Sequence, residues 1–225
     1  MDIVFETAVK YNDIFMAGAK ITIIISFLSC FFGLFLGVIL AFMKISGVKI
    51  LQAVAAVYVE VIRGTPVLVQ ISLVFFGLPF LGIQFPNFEI WGVDFERLSA
   101  GVLALILNSG AYQCEIVRSG IHAIDPGQRE AAKALGMPWH LQMLRIVAPQ
   151  ATKICILPLV NQFIATIKNT SILSAITLTE LTREGTLIAY NSFHYFEPYI
   201  AVAVLYLILT TIFTQIAGVL ERRMA

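Results

Sequence analysis

The sequence predicts an all-α, polytopic membrane protein with about five transmembrane helices, its N-terminus outside and its C-terminus cytoplasmic. Three observations predict it. The 225 residues are 59% hydrophobic and only 13% charged, with a mean hydropathy of +0.87, whereas soluble domains carry about 25% charged residues. The apolar residues are gathered into runs near bilayer length, and a helix of ~20 residues spans the hydrocarbon core. The basic residues are divided unevenly between the stretches that join those runs.

The first run, Ile21 to Met43, holds 23 residues without a charge and is bracketed by Lys20 and Lys44. It is too long, and its acidic approach through Asp2, Glu6 and Asp13 is of the wrong sign, for a cleaved secretory signal. It is therefore expected to stay as the first span, with residues 1–16 as a short helix lying on the membrane surface. Leu51 to Gly82 is long enough for more than one crossing and is interrupted by VEVIRGTP. Leu98 to Val117, Cys155 to Leu178 and Tyr199 to Leu220 are each near one bilayer length.

Five crossings place the termini on opposite sides. With the N-terminus outside, the cytoplasmic stretches hold Lys44, Lys49, Arg118, Arg129, Lys133, Arg145, Lys153, Arg222 and Arg223, and the outer ones only Lys10, Lys20, Arg97 and Arg183. The positive-inside bias selects that orientation. The outer stretch FPNFEIWGVDFER is too short for a receptor domain, so capture of a solute outside falls to another chain.

Several function classes are excluded. A net charge of +1 gives no footprint for nucleic acid. No G-x-x-x-x-G-K-[ST] loop is present for ATP. Cys30, Cys114 and Cys155 have no C-x-x-C or Cys/His spacing and read as packing residues, and His122, His140 and His194 are isolated, so neither a metal site nor a catalytic residue is expected. No repeat, low-complexity run or Ser/Pro linker marks a second domain.

One stretch between the apolar runs is compact, basic and helix-forming: PGQREAAKALGMPWHLQMLRIVAPQ, residues 126–150. Asp125-Pro126-Gly127 starts a helix, QREAAKAL continues it, and Gly136 stands where a left-handed cap is wanted. Pro138 restarts the chain, and PWHLQMLRIV reads as a second helix ending before Pro149. Ala131, Leu135, Trp139, Leu141, Leu144 and Val147 give it an apolar side, while Arg129, Lys133, His140 and Arg145 supply polar ones. Such a bent pair is either an amphipathic connector or a ridge offered to a cytoplasmic protein.

Polar groups inside apolar runs are costly and face a bundle interior or a water-filled path. On a continuous helix Glu60, Arg63, Val67 and Gln70 share one face, but Gly64 and Pro66 permit a break whose freed carbonyls would line a cavity. The alternative is a Glu60–Arg63 pair that neutralises itself. Asn108, Tyr112, Glu115 and Ser119 form a helical stripe in the third span. Gln162, Thr166 and Asn169 repeat it in the fourth, with Asn161 and Lys168 on an adjoining face. These stripes either bond helix to helix or line a translocation path. Glu60 suits a cationic cargo side chain and Lys168 a carboxylate. Five helices are few to enclose such a path, so two chains, like or unlike, are expected to pair.

Glu130-Ala131-Ala132, then Gly136, then Ile146 and Ala148-Pro149 resemble, at the right spacing, the EAA loop of bacterial ABC importers. Ala148 departs from that pattern, which has Leu before the proline. YVEVIRGTPVLVQ and LNSGAYQCEIVRSGIHAIDPGQREAAKALG extend the resemblance over nearly the whole chain, to the permeases for polar amino acids: histidine, glutamine, arginine and opines. The resemblance implies a single permease domain over residues 1–225, in the inner (plasma) membrane of a bacterium, with an EAA-type coupling loop at 126–150. Glu130, Ala131, Ala132, Gly136, Pro138, Ile146 and Pro149 are its candidate coupling residues. Glu60, Arg63, Asn108, Tyr112, Glu115, Asn161, Gln162 and Lys168 are the candidates for a cargo path. The implied partners are ATP-binding cassette subunits that bind the ATP and magnesium, a second permease chain, an extracytoplasmic amino-acid-binding protein, lipid and the amino acid itself. The competing reading is a secondary transporter or channel that works without an ATPase.

Overall fold

A computed structural model describes residues 2–90 and 92–224. Helix α1 (Asp2–Lys10) turns at Tyr11 into α2 (Asn12–Ile45). Residues 12–16 thus belong to the first long helix, and only α1 remains of the surface helix expected over 1–16. Phe15 sets the boundary, being buried against Leu181, Ala201 and Val202. With 34 residues α2 is about 50 Å long, well beyond a hydrocarbon core of ~30 Å.

Helix α3 (Lys49–Gly64) and the next helical stretch, Val67–Phe80, meet at 108°. That stretch runs as α4 (Val67–Ser72), a π turn at Leu73–Gly77 and α5 (Leu78–Phe80). Thr65 and Pro66 are extended, because Pro66 has no N–H to continue the ladder and disfavours helical geometry in the residue before it. The carbonyls of Ile62 and Thr65 at this bend are taken by a side chain. The buried Gln70 side-chain amide donates to the Ile62 carbonyl (2.6 Å) and the Thr65 carbonyl (3.1 Å), and its oxygen accepts from Asn108 (2.9 Å). The bend is plugged by its own glutamine, which also ties it to the third long helix.

A hairpin of two-residue strands, β1 (Glu89–Ile90) and β2 (Val93–Asp94), turns through Gly92 and leads into α6 (Phe95–His122). Asp94 caps α6 by accepting from the Arg97 backbone (3.2 Å). Helix α6 is the centre of the bundle, with Ala100, Ala104, Leu105, Ala111 and Cys114 all buried. It lies close against α2, where a Cβ on Gly37 would stand 2.9 Å from the Cys114 nitrogen. Small residues at a helix contact allow this approach in a membrane, where packing rather than water drives association.

After α6 come α7 (Pro126–Ala134) and α8 (Trp139–Gln142). The second helix does not end before Pro149: α8 passes through a π turn at Met143–Val147 directly into α9 (Ala148–Asn169). The wider turn, together with a place at the start of α9, accommodates a proline that lacks an N–H donor. Helix α9 tightens into a 3₁₀ turn (Thr170–Ile176), and Thr177 closes it at φ +60°. Helix α10 (Leu181–Ser192), which no apolar run announces, is capped by buried Glu180, whose carboxylate accepts from Thr182 N (2.9 Å), Arg183 N (2.8 Å) and Tyr206 Oη (2.9 Å). Helix α11 (Phe196–Met224) completes the chain. Among the described residues four helices are long and apolar enough to cross a membrane, and the bent pair makes a fifth when counted as one span.

Candidate functional site

The bent pair α7–α8 is built from the chain outward. Asp125 caps α7 by accepting from Gly127 N (2.6 Å), so the acidic position at this helix start belongs to Asp125. Glu130 is the fifth residue of α7, beyond the first turn, and its side chain is exposed. The negative charge that favours this helix start is therefore supplied by Asp125 rather than by Glu130. At the other end Gly136 adopts φ +70°, Met137 N donates to the Ala132 carbonyl (3.1 Å) and Gly136 N to Lys133 (2.9 Å). That is a Schellman closure, which requires the left-handed residue that glycine supplies. Pro138, extended, restarts the chain as the cap of α8, and Gln142 fixes the restart by donating to the Met137 carbonyl (2.6 Å).

The pair has an inner and an outer side. Ala132 and Val147 face inward, Val147 packing with Ile121, Ile124 and Ala151. Arg129 donates to the Ile121 carbonyl (2.5 Å), fastening α7 to the last turn of α6. Outward stand Leu135, 81% exposed, Trp139 and Leu144, with Ala131, Glu130, Pro138 and Pro149 also exposed. Ile146 is half-buried. Of the apolar side expected from the sequence, Leu135, Trp139 and Leu144 thus form a ridge, and Val147 is core.

Both ends of this pair lead to the same place. A cavity of about 450 Å³ with mixed walls is lined by Arg63 of α3, by Tyr112, Glu115, Ile116 and Ser119 of α6, and by Ile154, Pro158 and Gln162 of α9. Helix α6 enters α7 through three residues, and α8 continues into α9 without a break. Glu115 is held by Lys44 of α2 (2.6 Å) and Arg118 (2.8 Å). Arg63 lies with its guanidinium 5.4 Å from the Tyr112 ring centroid and makes no ion pair with Glu60.

The cavity gathers Arg63, Tyr112, Glu115 and Gln162 from the residues singled out in the sequence. Asn108 is instead buried against Gln70, and Glu60, Asn161 and Lys168 are exposed on α3 and α9 outside the lining. Thr166 joins Cys30 (3.3 Å) and Ser109 (3.3 Å) in a helix-to-helix polar contact. Sequence reasoning missed Lys44 and Arg118, and it placed Gln70 on a shared helix face without its bonds to the bend and to Asn108. Arg118 was legible as an i+3 partner of Glu115; Lys44 is 71 residues away in sequence and no local pattern points to it.

Residues 33–225 match the family described as the binding-protein-dependent transport system inner membrane component. The chain belongs to that family. The permease is 36% identical to a putative glutamine transport system permease protein of Rickettsia conorii, over 98% of each chain. It is 37% identical to the arginine transport system permease protein of Bacillus subtilis, over 100% of this chain and 98% of that one. Among solved structures it superposes on a chain of an amino acid ABC transporter crystallised with histidines, at TM-score 0.88, 41% identity and coverage of 97% and 98%. A chain of the inward-facing methionine ABC transporter shares its fold at TM-score 0.77 and 19% identity. The all-helical, multi-span architecture read from composition and charge is thus that of an ABC-importer permease subunit.

Proposed function

We propose that this permease moves polar amino acids through the inner (plasma) membrane of a bacterium, driven by ATP hydrolysis in separate cassette subunits. Those subunits bind the ATP and magnesium and seat on the Leu135–Trp139–Leu144 ridge. The observation that carries the reading is continuity: the bent pair joins, through connections of no more than four residues, the two helices that supply most of the cavity. A push on the ridge therefore moves α6 and α9 against one another, which alternating access requires. Such a step needs two states whose balance the ligand biases, and the seated ATPase supplies that bias.

The charges of the cavity suggest how cargo is held. Glu115 is already matched by Lys44 and Arg118, whereas Arg63 is exposed beside Tyr112 and, among the described residues, has no carboxylate partner. Arg63 is therefore the partner for the cargo carboxylate, and Gln162 and Ser119 are left to bond its polar side chain. The relatives named for glutamine and arginine, and the transporter crystallised with histidines, support a polar amino acid as the cargo. A second permease chain closes the route on the side where Arg63 is exposed, and an extracytoplasmic binding protein delivers the cargo. Residues 1–225 act as one permease domain, with residues 126–150 as its coupling loop and the N-terminus outside.

Purification in mild detergent tests the assembly. A nucleotide-binding subunit retained by the wild type and lost when Trp139 and Leu144 are both replaced by Asp supports the reading. Retention by both chains places the contact elsewhere.

A further inference from the structure

At the N-terminal end of the bundle, away from the coupling pair, α2 and α11 leave a groove between them. Its volume is about 700 Å³, and Met16, Ala17 and Ile23 of α2 with Leu205 and Ile208 of α11 form its walls. Every lining residue is apolar except Lys20. Lys20 immediately precedes the charge-free run Ile21 to Met43, so its ammonium stands at the edge of the hydrocarbon layer. Met16 is 57% and Ile208 49% exposed, so neighbouring helices of the chain do not cover the groove.

Lys10 lies over the Tyr11 ring (5.2 Å) and Arg97 pairs with Asp94 (2.8 Å), but among the described residues Lys20 forms no ion pair. A second copy of the chain is a poor occupant. In a two-fold contact the groove would face itself, and its lining contains no acid to meet either Lys20, so two uncompensated cations would be buried together. An amphiphile with an anionic head satisfies both features at once. Its chains cover the apolar walls, and its head places negative charge beside a cation at interface depth.

We propose that this groove binds one anionic phospholipid, with an acyl chain lying between α2 and α11 and the Lys20 ammonium donating to the lipid phosphate. The site is separate from the cargo cavity and does not depend on the identity of the cargo. The groove extends over about 12 Å of α2, from Met16 to Ile24, which fixes the chain alongside the helix rather than leaving it in the bulk bilayer.

The test is native mass spectrometry of the purified permease complex after exchange into defined lipid, with phosphatidylglycerol and phosphatidylcholine compared. Wild type is expected to keep a phosphatidylglycerol molecule per permease chain in preference to phosphatidylcholine. Lys20→Gln should weaken phosphatidylglycerol retention about fivefold, the contribution of one lysine near an anionic surface, and leave phosphatidylcholine unchanged. Ala17→Trp fills the groove, keeps Lys20, and should lower retention of both. Glycerol 1-phosphate, a headgroup without chains, should not displace the lipid. Equal phosphatidylglycerol retention in wild type and Lys20→Gln overturns the proposal, as does displacement by glycerol phosphate. So does a disulfide between copies through Met16→Cys and Ile208→Cys in native membranes, which would show a second chain in the groove.

Discussion

Gly136→Val isolates the backbone geometry of the coupling loop from its contacts. Gly136 sits at φ +70°, and a Cβ built there meets no atom within 4 Å, so a larger side chain clashes with nothing in the chain itself. The cost is conformational: a left-handed residue with a Cβ loses about 1–2 kcal/mol, more when the side chain is β-branched. Since 1.4 kcal/mol is a factor of ten, the closed bend falls roughly 5- to 30-fold relative to frayed alternatives. Asn tolerates the left-handed region and serves as the control. The assay is uptake into proteoliposomes, together with ATP hydrolysis stimulated by loaded binding protein, for the assembled complex. Gly136→Val should lose most uptake and most stimulation while the chain still inserts, and Gly136→Asn should keep the larger part of both. Wild-type behaviour of the valine variant refutes the reasoning. An asparagine variant as impaired as the valine one would show that fit against the partner, rather than backbone conformation, sets the requirement.

Other expectations follow from the same geometry. Glu115→Leu leaves Lys44 and Arg118 facing one another without their shared anion, so its thermal midpoint in detergent should fall further than that of Lys44→Met, which leaves the Arg118 pair intact; equal losses would mean that the pairs are too solvated to matter. Glu180→Ala removes the cap of α10 and the acceptor for Tyr206, and should cost about 1–2 kcal/mol, read as a lower midpoint; an unchanged midpoint contradicts that role. Arg63→Gln should raise the cargo concentration needed for half-maximal uptake at least tenfold, whereas Lys168→Met and Glu60→Gln, outside the cavity lining, should change it less than twofold; the opposite order places the carboxylate site elsewhere. In a background without the native cysteines, a thiol at Glu89 should react with an impermeant reagent from outside and one at Lys133 should not; the reverse pattern rejects the N-out topology.

What the sequence made legible was what local chemistry decides. Asp125-Pro126-Gly127 and Gly136 each specify one backbone geometry, and the α7 start and the left-handed bend lie where those residues put them. Gly64 and Pro66 likewise announced the break between α3 and α4. Where the outcome depends on distant partners, local reading fell short. Pro149 looked like a stop because a proline removes a donor, yet a π turn that needs the packing of Val147 on Ile121 carries the helix past it. The carbonyls freed at Pro66 looked available to a cavity because nothing local shows that Gln70 folds back over them. The polar stripe of α6 has two surroundings. Asn108 bonds to the neighbouring bend, while Tyr112, Glu115 and Ser119 open on the cavity, and only the position of α3 and α4 across the bundle separates them. Helix α10 was missed because its buried residues, Leu181, Gly185, Ile188 and Ala189, are interspersed with polar ones and form no apolar run.

On the proposed function, movement of amino acid through this chain is driven by ATP hydrolysis acting on the bent pair α7–α8. The direct measurement is uptake of radiolabelled glutamine or arginine by proteoliposomes holding the purified permease with its copurified nucleotide-binding subunit and a supplied binding protein. Uptake should require ATP on the side of α7–α8, persist when ionophores collapse the ion gradients, and disappear with Gly136→Val. Uptake by the permease alone, driven by an ion gradient and indifferent to ATP, would contradict the account.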